Sequence, residues 1–312
     1  MCCKTMNLLI SSNNTYVFPT MVLLDSFCKN NKVDVNVFFL YNELSPENIE
    51  KIKQLKDRHP FLNITYVFVP LEMFQNAPLG GITNDYISIE TYFRLAVTEL
   101  LPKELTRILY LDTDMVVNGS LLEFYNHSFK SDSVALVCED YGFVVADKLR
   151  NSVYKNLSLE SEHIYFNAGV MLFNLVELRK KYSLGAFIQF IDKNRGKLMF
   201  HDQDIMNAMF TNHLEYADYN KYNCRPFYYP FSLKSKQVIR CATIIHYGEK
   251  PWNANFTDMG GEIFWKYADT LIEKSDKIEL EKARNAYMRK NMYRIFIKKI
   301  KRNIKLTFLV KR

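Results

Sequence analysis

The fold is decided by residues 6–69, which read MNLLISSNNTYVFPTMVLLDSFCKNNKVDVNVFFLYNELSPENIEKIKQLKDRHPFLNITYVFV. Short apolar runs bounded by polar turn residues predict β-strands at 6–12, 33–40 and 64–69. The intervening segments 16–29 and 45–58 have apolar residues at helical spacing, and the second begins with Ser-Pro, which is typical of a helix start. Three strands separated by two helices predict a βαβαβ unit with right-handed crossovers.

The alternation of strand and helix patterns continues along the chain. Apolar runs predict strands at 107–112, 134–139 and 165–175, and helical spacing predicts helices at 89–100, 183–194 and 205–210. We therefore expect an α/β protein with a single Rossmann-like mixed sheet flanked by helices over 1–265, and a helical extension over 266–312. No G-x-G-x-x-G or Walker sequence occurs, so a phosphate needs another kind of site. The Pro- and Gly-containing segment 70–86 is expected to be an exposed loop near that site.

The chemistry of the chain is most evident at residues 108–120, which read ILYLDTDMVVNGS. An apolar run delivers Asp112 and Asp114 at its end, and residues two apart in an extended backbone point to the same side. Both carboxylates can therefore face one cation that prefers oxygen ligands. The carboxyl end of a strand in an open α/β sheet is also the usual location of a ligand. Acidic residues close strands as turn formers too, so the pair alone leaves that alternative open.

A second apolar run that ends in polar residues is 243–252, TIIHYGEKPW. His246 is a suitable third metal ligand, because Mn²⁺ accepts nitrogen more readily than Mg²⁺ or Ca²⁺ does. Lys250 places a positive charge two residues from Gly248, whose backbone a phosphate can approach closely. A structural histidine and a solvated lysine are the alternatives.

Polar residues also gather where residues 201–204 read HDQD, at the start of a predicted helix. One acidic residue suffices for helix capping, so the additional carboxylate and amide make sugar binding an equal alternative. Arg94 is either a surface helix residue or a ligand for hydroxyl and phosphate groups. Tyr16 can stack on a base.

Composition excludes several classes of protein. The 312 residues are 48% hydrophobic and 14% aromatic, which excludes a disordered chain and allows a substantial core. The six cysteines form no C-x-x-C pair, and no apolar stretch reaches the ~18 residues of a membrane span. The N-terminal sequence lacks the apolar core of a secretory signal, so we expect a cytoplasmic protein with reduced thiols, translated from Met1 or Met6.

Positive charge is concentrated at the C-terminal end of the chain. Residues 282–312 contain twelve Lys or Arg and no Asp or Glu, so the remainder has a net charge of −5 within the total of +7. Apolar residues recur there at steps of three and four, at Met292, Tyr293, Phe296, Ile297, Ile300, Ile304, Phe308 and Leu309. This spacing favours an amphipathic helix over 283–312 that lies on an anionic membrane, peripheral on the inner face of the plasma membrane. An RNA-binding arm and a solvated helix packed on the core are the alternatives, and no nucleic acid partner is expected.

Taken together, five segments resemble glycosyltransferase family 8: YLDTD at 110–114, ISIETYFRL at 87–95, YFNAGV at 165–170, DQD at 202–204 and HYGEKPW at 246–252. The resemblance implies a GT-A fold, a UDP-sugar donor, Mn²⁺ with Mg²⁺ as the alternative, and retention of anomeric configuration. It implies transfer of glucose or galactose to a glycan or glycolipid such as lipopolysaccharide or another cell-surface polysaccharide. The lipopolysaccharide α-galactosyltransferases of that family are closest in pattern, including a basic C-terminus.

The resemblance also implies roles for individual residues. Asp112, Asp114 and His246 would ligate the metal. The substrate-binding set would be Ser11, Asn13, Tyr16, Arg94, Asp112, Thr113, Asn167, Ala168, Asp202, Gln203, Gly248 and Lys250. The catalytic set would be Gln203 beside the reacting sugar, Asp202, and Asp140 on the acceptor side. Asn13 departs from the family pattern, which often has an Asp against the uracil.

Two other functions are compatible with these residues. A metal-dependent sugar-nucleotide hydrolase or nucleotidyltransferase also needs a cation on a diphosphate. A noncatalytic nucleotide-sugar-binding protein at a membrane surface would use the same ligands without turnover. For transfer, front-face attack is favoured over a covalent intermediate through Asp202 or Asp204, because the amide of Gln203 is a poor nucleophile.

Overall fold

The computed structural model describes residues 5–75, 77–78, 88–144 and 146–309, without the side chains of 144 and 307–309. The chain divides into two compact units. Unit 1 comprises Met1–Val17, Lys32–Thr113 and Leu121–Asp218, and unit 2 comprises Phe18–Asn31, Asp114–Ser120 and Tyr219–Arg312. The greater part of the loop predicted at 70–86 lies outside the described residues, and the predicted boundary at 265 stays a prediction.

The strands within the described residues follow the apolar runs of the sequence. They are β1 (Thr5–Ser11), β2 (Asp34–Tyr41), β3 (Leu62–Phe68), β4 (Arg107–Leu111), β5 (Met115–Val117), β6 (Ala135–Glu139), β7 (Phe166–Asn174), β8 (Leu214–Ala217) and β9 (Ile244–His246). Each predicted strand is therefore confirmed to within two residues at its ends. The strands β5 and β8 are too short for the sequence pattern to predict.

Unit 1 contains a seven-stranded sheet, counted over the described residues, with the order β3-β2-β1-β4-β7-β6-β8. The first four strands in this order pair in parallel, whereas β7 runs antiparallel to both β4 and β6. This arrangement confirms the predicted mixed sheet. Because β7 is reversed, its N-terminal end lies at the same edge as the carboxyl ends of β1, β4 and β6. Polar residues from four strands therefore meet at one edge.

The α-helices are α1 (Val17–Asn30), α2 (Pro46–Lys53), α3 (Leu55–Arg58), α4 (Val97–Leu100), α5 (Leu122–Tyr125), α6 (Tyr141–Val144), α7 (Asp147–Leu157), α8 (Leu175–Lys181), α9 (Leu184–Asn194), α10 (Asp202–Met209), α11 (Tyr219–Tyr222), α12 (Leu233–Cys241), α13 (Gly261–Ala268) and α14 (Lys274–Leu309). Short 3-10 helices occur at Asn14–Tyr16, Leu71–Phe74, Ile89–Ala96 and Pro226–Tyr228.

The helix predicted at 89–100 is only partly correct, because Ile89–Ala96 is a 3-10 helix and only Val97–Leu100 is α-helical. Residues 92 to 96 are all buried, whereas residues 89 to 91 are partly exposed, so the second half of the 3-10 helix has no solvent face. The helix predicted at 45–58 is interrupted after Lys53. Its start is as expected, since the Ser45 side chain accepts a hydrogen bond from the Asn48 N–H.

Unit 2 contains the antiparallel pair β5–β9 and a separate apolar core. Phe264 of α13 is fully buried in that core, against the rings of Phe18, Trp252 and Trp265. The helix α14 has 36 residues and begins nine residues before the predicted amphipathic segment. Among the described helices, none combines the length and the apolar character that crossing a membrane requires.

Candidate active site

Arg94 joins two of the predicted site carboxylates in unit 1. Its Nη2 lies 3.1 Å from Oδ1 of Asp112, and its Nε lies 3.0 Å from Oδ2 of Asp202. Nη1 donates a 2.6 Å hydrogen bond to the Ala168 carbonyl, and the guanidinium lies 4.1 Å from the centre of the Tyr110 ring. Because only 4% of its surface is exposed, Arg94 is a buried hub and not a surface helix residue.

Burial and charge shift the pKa values of this group of residues. Burial opposes the charged form of Arg94, but the carboxylates of Asp112 and Asp202 outweigh it and raise the pKa of the guanidinium. Burial raises the pKa of Asp202 to about 7, against the opposing effect of Arg94. A carboxyl group that titrates near neutrality can donate or accept a hydrogen bond, which suits recognition of a sugar hydroxyl.

Gln203, Asn167 and Asp140 form one hydrogen-bonded network in unit 1. The Oε1 of Gln203 accepts 3.0 Å hydrogen bonds from Asn167 Nδ2 and from the Ala168 N–H. The Oδ2 of Asp140 accepts from Asn167 Nδ2 at 3.3 Å and from Gln203 Nε2 at 3.4 Å. The other oxygen, Oδ1, accepts from the Gly142 N–H at 2.8 Å. The structure thus brings these three predicted residues together, although their elements are distant in sequence.

Asp204 has a different position from the one that the capping pattern predicts. The helix α10 begins at Asp202, so both acidic residues lie in its first turn, and His201 occupies the cap position without a side-chain cap bond. The Oδ2 of Asp204 accepts from the N–H groups of Met199 and Phe200 at 2.6 and 2.8 Å. Its Oδ1 accepts from the Tyr165 hydroxyl at 2.5 Å. This carboxylate therefore fixes the turn before α10 and ties it to the start of β7.

Two further side chains hold the start of α10, and the sequence pattern singles out neither for this purpose. The Asn207 amide accepts from the Phe166 N–H at 2.9 Å and donates to the Phe166 and Gln203 carbonyls at 3.0 and 2.9 Å. His201 has φ 53°, which is uncommon outside glycine, and its Nδ1 lies 3.0 Å from the Tyr92 hydroxyl. The spacing of four residues between Gln203 and Asn207 is the signal that predicts a shared helix face.

The predicted nucleotide contacts in unit 1 follow two adjacent strands, with Ser11, Asn13 and Tyr16 at or after the end of β1 and Thr113 after the end of β4. The Ser11 hydroxyl donates to the Glu90 carbonyl at 2.7 Å, and the Asn13 Oδ1 accepts from the Thr15 N–H at 3.0 Å. Tyr16 is half-buried, and Thr113 is buried. Because β1 and β4 are parallel neighbours, these residues share the edge of the sheet that carries Asp112.

Asp114, His246 and Lys250 converge in unit 2. Met115 of β5 lies opposite His246 of β9, which brings Asp114 next to the imidazole. His246 Nε2 lies 3.3 Å from Asp114 Oδ1, and the Lys250 ammonium contacts Asp114 Oδ2 and donates to the Tyr247 carbonyl at 2.9 Å. Burial alone would raise the pKa of Asp114, but the charges of Lys250 and His246 hold it far below the usual range. Asp114 is therefore an ionised carboxylate.

Asn223 orients the imidazole, and no sequence motif marks it. Its Oδ1 lies 2.9 Å from Nδ1 of His246. With that oxygen as acceptor, Nδ1 carries a hydrogen, and Nε2 is the nitrogen that faces Asp114 and that a metal would bind. A hydrogen bond from the second nitrogen to an outer partner is characteristic of metal-binding histidines.

Two of the three predicted metal ligands lie together in unit 2. Oδ1 of Asp114 and Nε2 of His246 are 3.3 Å apart, and the third predicted ligand, Asp112, precedes Asp114 by two residues in the chain. At metal–oxygen distances of about 2.1–2.6 Å, two ligand atoms on one hard cation are at most about 4.2–5.2 Å apart. Two carboxylates and one imidazole are a donor set that Mn²⁺ accepts. The residues therefore fit a divalent cation.

Gly248 is not required by the packing of the protein itself. A Cβ at this position would lie 3.5 Å from Cβ of Phe227, which is ordinary contact distance. The glycine therefore leaves backbone accessible to a ligand and relieves no internal clash.

The fold is that of a GT-A glycosyltransferase. The solved structure of the galactosyltransferase LgtC in complex with donor and acceptor sugar analogs has a TM-score of 0.73 and 22% sequence identity, covering 86% of this chain and 98% of that chain. This likeness confirms the predicted fold class, a mixed sheet flanked by helices with a C-terminal helix.

The sequence profile described as glycosyl transferase family 8 matches residues 7–255, and the chain belongs to that family. A provisionally named glycosyltransferase of Haemophilus influenzae is 27% identical over 311 residues, which are 97% of this chain and 88% of that protein. Lipopolysaccharide 1,2-glucosyltransferase of Escherichia coli is 29% identical over 228 residues, which are 71% of this chain and 63% of that enzyme. The chain thus spans somewhat less than two thirds of the second relative.

Proposed function

We propose that this protein is a retaining, Mn²⁺-dependent hexosyltransferase that transfers glucose or galactose from a UDP-sugar to a glycan or glycolipid. The observation that carries the proposal is the pairing of Asp114 with His246 in unit 2, two residues after Asp112 in the chain, because two carboxylates and an imidazole are a donor set suited to a cation on a diphosphate. Membership of glycosyl transferase family 8 supports sugar transfer. The name of the Escherichia coli relative supports an acceptor of the lipopolysaccharide type.

The donor diphosphate is assigned to the metal ligands and to the segment after β9. Mn²⁺, with Mg²⁺ as the alternative, would neutralise charge on the leaving diphosphate. Lys250 adds a positive charge, and the backbone of Gly248 is open to phosphate oxygens. The uridine is assigned to Ser11, Asn13, Tyr16 and Thr113. The Asn13 amide can bond to uracil in place of the family's usual carboxylate.

The donor sugar is assigned to the network in unit 1. Arg94, Asn167, Ala168, Asp202 and Gln203 hold its hydroxyl groups, and Asp140 lies on the acceptor side. The network supports this assignment, because each of its polar side chains is held by at least one hydrogen bond or ion pair. Preorganised polar groups of this kind position a substrate at a low entropic cost.

The transfer is proposed to be a front-face attack. The bond from the anomeric carbon to the diphosphate oxygen breaks, the acceptor oxygen bonds to the same face of that carbon, and the acceptor proton passes to the leaving phosphate. Gln203 is the neighbour of the developing positive charge on the sugar. The rival covalent route is disfavoured for Asp204, because three donors already occupy its carboxylate. Asp202 is held in an ion pair with Arg94.

We also propose that the protein is cytoplasmic and peripheral on the inner face of the plasma membrane, through residues 283–312. Large apolar side chains on the outer side of α14 support this, since Met292 and Tyr293 are 72% and 77% exposed. The same helix buries Ile295 and Leu306, so it also packs against the protein. Replacing Met292, Phe296 and Ile300 by Ser should reduce binding to anionic liposomes, and unchanged binding would contradict the assignment.

The experiment that tests the proposed function is a screen of nucleotide sugars with Mn²⁺ and a lipopolysaccharide acceptor. Transfer releases a nucleoside diphosphate and forms a glycoside. A sugar-nucleotide hydrolase releases nucleoside diphosphate and free sugar with or without the acceptor. A nucleotidyltransferase instead breaks the bond between the two phosphates, passes the nucleoside monophosphate to an acceptor and releases a sugar 1-phosphate. Donor binding without any product would favour the noncatalytic alternative.

A further inference from the structure

The C-terminal helix α14 contacts the segment that carries Gly248 and Lys250. We define this segment, residues 247–258, as the donor loop. The contacts within unit 2 are a 2.6 Å hydrogen bond from Arg284 Nη2 to the Pro251 carbonyl, an ion pair between Lys298 and Glu249, and a 2.8 Å ion pair between Arg302 Nη1 and Asp258 Oδ1. The helix therefore holds the donor loop near its start, in its middle and at its end.

Arg302 makes the most extensive of these contacts. Its side chain is 10% exposed and that of Asp258 is 3% exposed, so the ion pair is largely removed from water. The same guanidinium donates from Nε to the Tyr229 carbonyl at 3.0 Å and from Nη2 to the Pro226 carbonyl. A planar guanidinium with several fixed donors can bind a carboxylate and two carbonyls together, whereas a lysine ammonium matches this arrangement poorly.

The two residues whose carbonyls Arg302 binds lie on either side of Phe227, which contacts the donor loop. Phe227 lies between Pro226 and Tyr229 in sequence, and its Cβ would be 3.5 Å from a Cβ added to Gly248. The guanidinium carbon of Arg302 is 5.3 Å from the centre of the Phe227 ring. One side chain of α14 therefore fixes both the end of the donor loop and the segment that lies against its glycine.

Glu249 fastens the donor loop to itself as well as to α14. Its Oε2 accepts from the N–H and the hydroxyl of Thr257 at 3.0 and 3.1 Å, and its Oε1 pairs with Lys298. This carboxylate closes the loop across eight residues. Its neighbour Lys250 is held in turn by Asp114.

We infer that α14 is a positioning element for donor binding, in which Arg302 and Lys298 hold the donor loop where Gly248 and Lys250 meet the diphosphate. The inference rests on the proposed function for the identity of the ligand. It assigns a role to three basic residues of the C-terminal segment, Arg284, Lys298 and Arg302, which bind the donor loop. Movement of α14 on a membrane would then change donor affinity.

The test uses the full chain in a steady-state assay with Mn²⁺, UDP-galactose or UDP-glucose, and a soluble acceptor. Arg302→Lys retains the charge opposite Asp258 but loses the shared contacts to two carbonyls, and Lys298→Ala removes the partly exposed partner of Glu249. Both variants should raise the donor KM about tenfold with kcat and acceptor KM nearly unchanged, because the loop is displaced and the sugar network is not. Lys282→Ala, an exposed basic residue on the same helix, is the matched control.

Two further experiments make the test independent of folding and of the proposed function. One exchanges the charges at positions 249 and 298 in a double variant, and the other measures amide hydrogen exchange of the donor loop. Combining Lys298→Glu with Glu249→Lys should give a donor KM below that of either single variant, although not the wild-type value, because a lysine at position 249 no longer accepts from Thr257. Amide protection over 247–258 should be lower in Arg302→Lys than in the wild type, with or without any nucleotide. Folded variants with unchanged donor KM and unchanged protection would overturn the inference. A wild type that lacks Mn²⁺-dependent UDP binding would instead refute the proposed function, and the protection data would still decide whether α14 holds the loop.

Discussion

The Nε atom of Arg94 lies 3.0 Å from Oδ2 of Asp202, and both side chains are buried in unit 1. The same guanidinium pairs with Asp112, so one cation contacts a residue assigned to the sugar and a residue assigned to the metal. A buried charge without its partner is costly, and breaking a buried pair typically destabilises a protein by about 3–5 kcal/mol.

Arg94→Ala should therefore lower the free energy of unfolding by about 3–5 kcal/mol, because it leaves two carboxylates without their cation. Urea denaturation followed by circular dichroism measures this. The matched control is Arg150→Ala, which removes an exposed pair with Asp147 and should cost less than about 1 kcal/mol. An equal loss in the free energy of unfolding in the two variants would show that the buried Arg94 ion pairs stabilise the protein no more than an exposed pair does.

Asp114→Asn should abolish Mn²⁺-dependent transfer while the protein remains folded. The amide keeps the shape of the side chain but removes the negative charge that pairs with Lys250 and faces His246. Calorimetric titration of Mn²⁺, with and without UDP, measures the effect directly. Asp132→Asn changes an exposed acidic residue and should leave the Mn²⁺ affinity intact. Near-normal turnover of the Asp114 variant would contradict the assignment of the metal ligands.

Gly248→Ala should weaken donor binding about tenfold or more, with little change in thermal stability. The added methyl group has room beside Phe227 but occupies space that a phosphate oxygen would approach. Gly196→Ala is the control, because no atom lies within 4 Å of its added Cβ. Donor KM and melting temperature are measured for both. A large loss of melting temperature in the first variant alone would mean that the glycine serves packing.

Asp202 should make the stability of the protein decrease as pH rises towards neutrality. Its pKa is raised from 3.8 to about 7 by burial, so between these values the folded protein binds the proton more tightly than the unfolded chain does. The free energy of unfolding then falls with increasing pH, by up to an amount on the order of 4 kcal/mol across this window. The stability difference between wild type and Asp202→Asn, measured by denaturation from pH 4 to 8, should decrease with pH. A difference in the free energy of unfolding that stays constant with pH would exclude a raised pKa of Asp202.

The apolar periodicity of the sequence was sufficient to predict most of unit 1. The hydrophobic spacing that distinguishes a strand from a helix is visible within about ten consecutive residues. The predicted strands match the observed ones closely. The prediction is wrong in part at Ile89–Ala96, which is a 3-10 helix whose residues 92–96 are all buried. The helix predicted at 205–210 begins three residues earlier, at Asp202, and Asp204 binds the turn before it.

The sequence predicts only those residues of the candidate site that have acidic, basic or imidazole side chains and follow an apolar run. Asp112, Asp114 and His246 are recognisable because acidic and imidazole groups follow apolar runs. Asn223 and Asn207 carry no such signal. Each acts by bonding to a residue distant in sequence, and amides of this kind occur throughout a chain rich in asparagine.

The sequence by itself determined the α/β class, the strand ends at which polar groups emerge, and the donor types for a divalent cation, because each depends on neighbours along the chain. Only the tertiary structure decided that Arg94 is a buried bridge between two carboxylates and that α14 binds the donor loop through Arg302. Those contacts join segments separated by tens of residues, and their formation depends on strand order and packing, which no local pattern specifies.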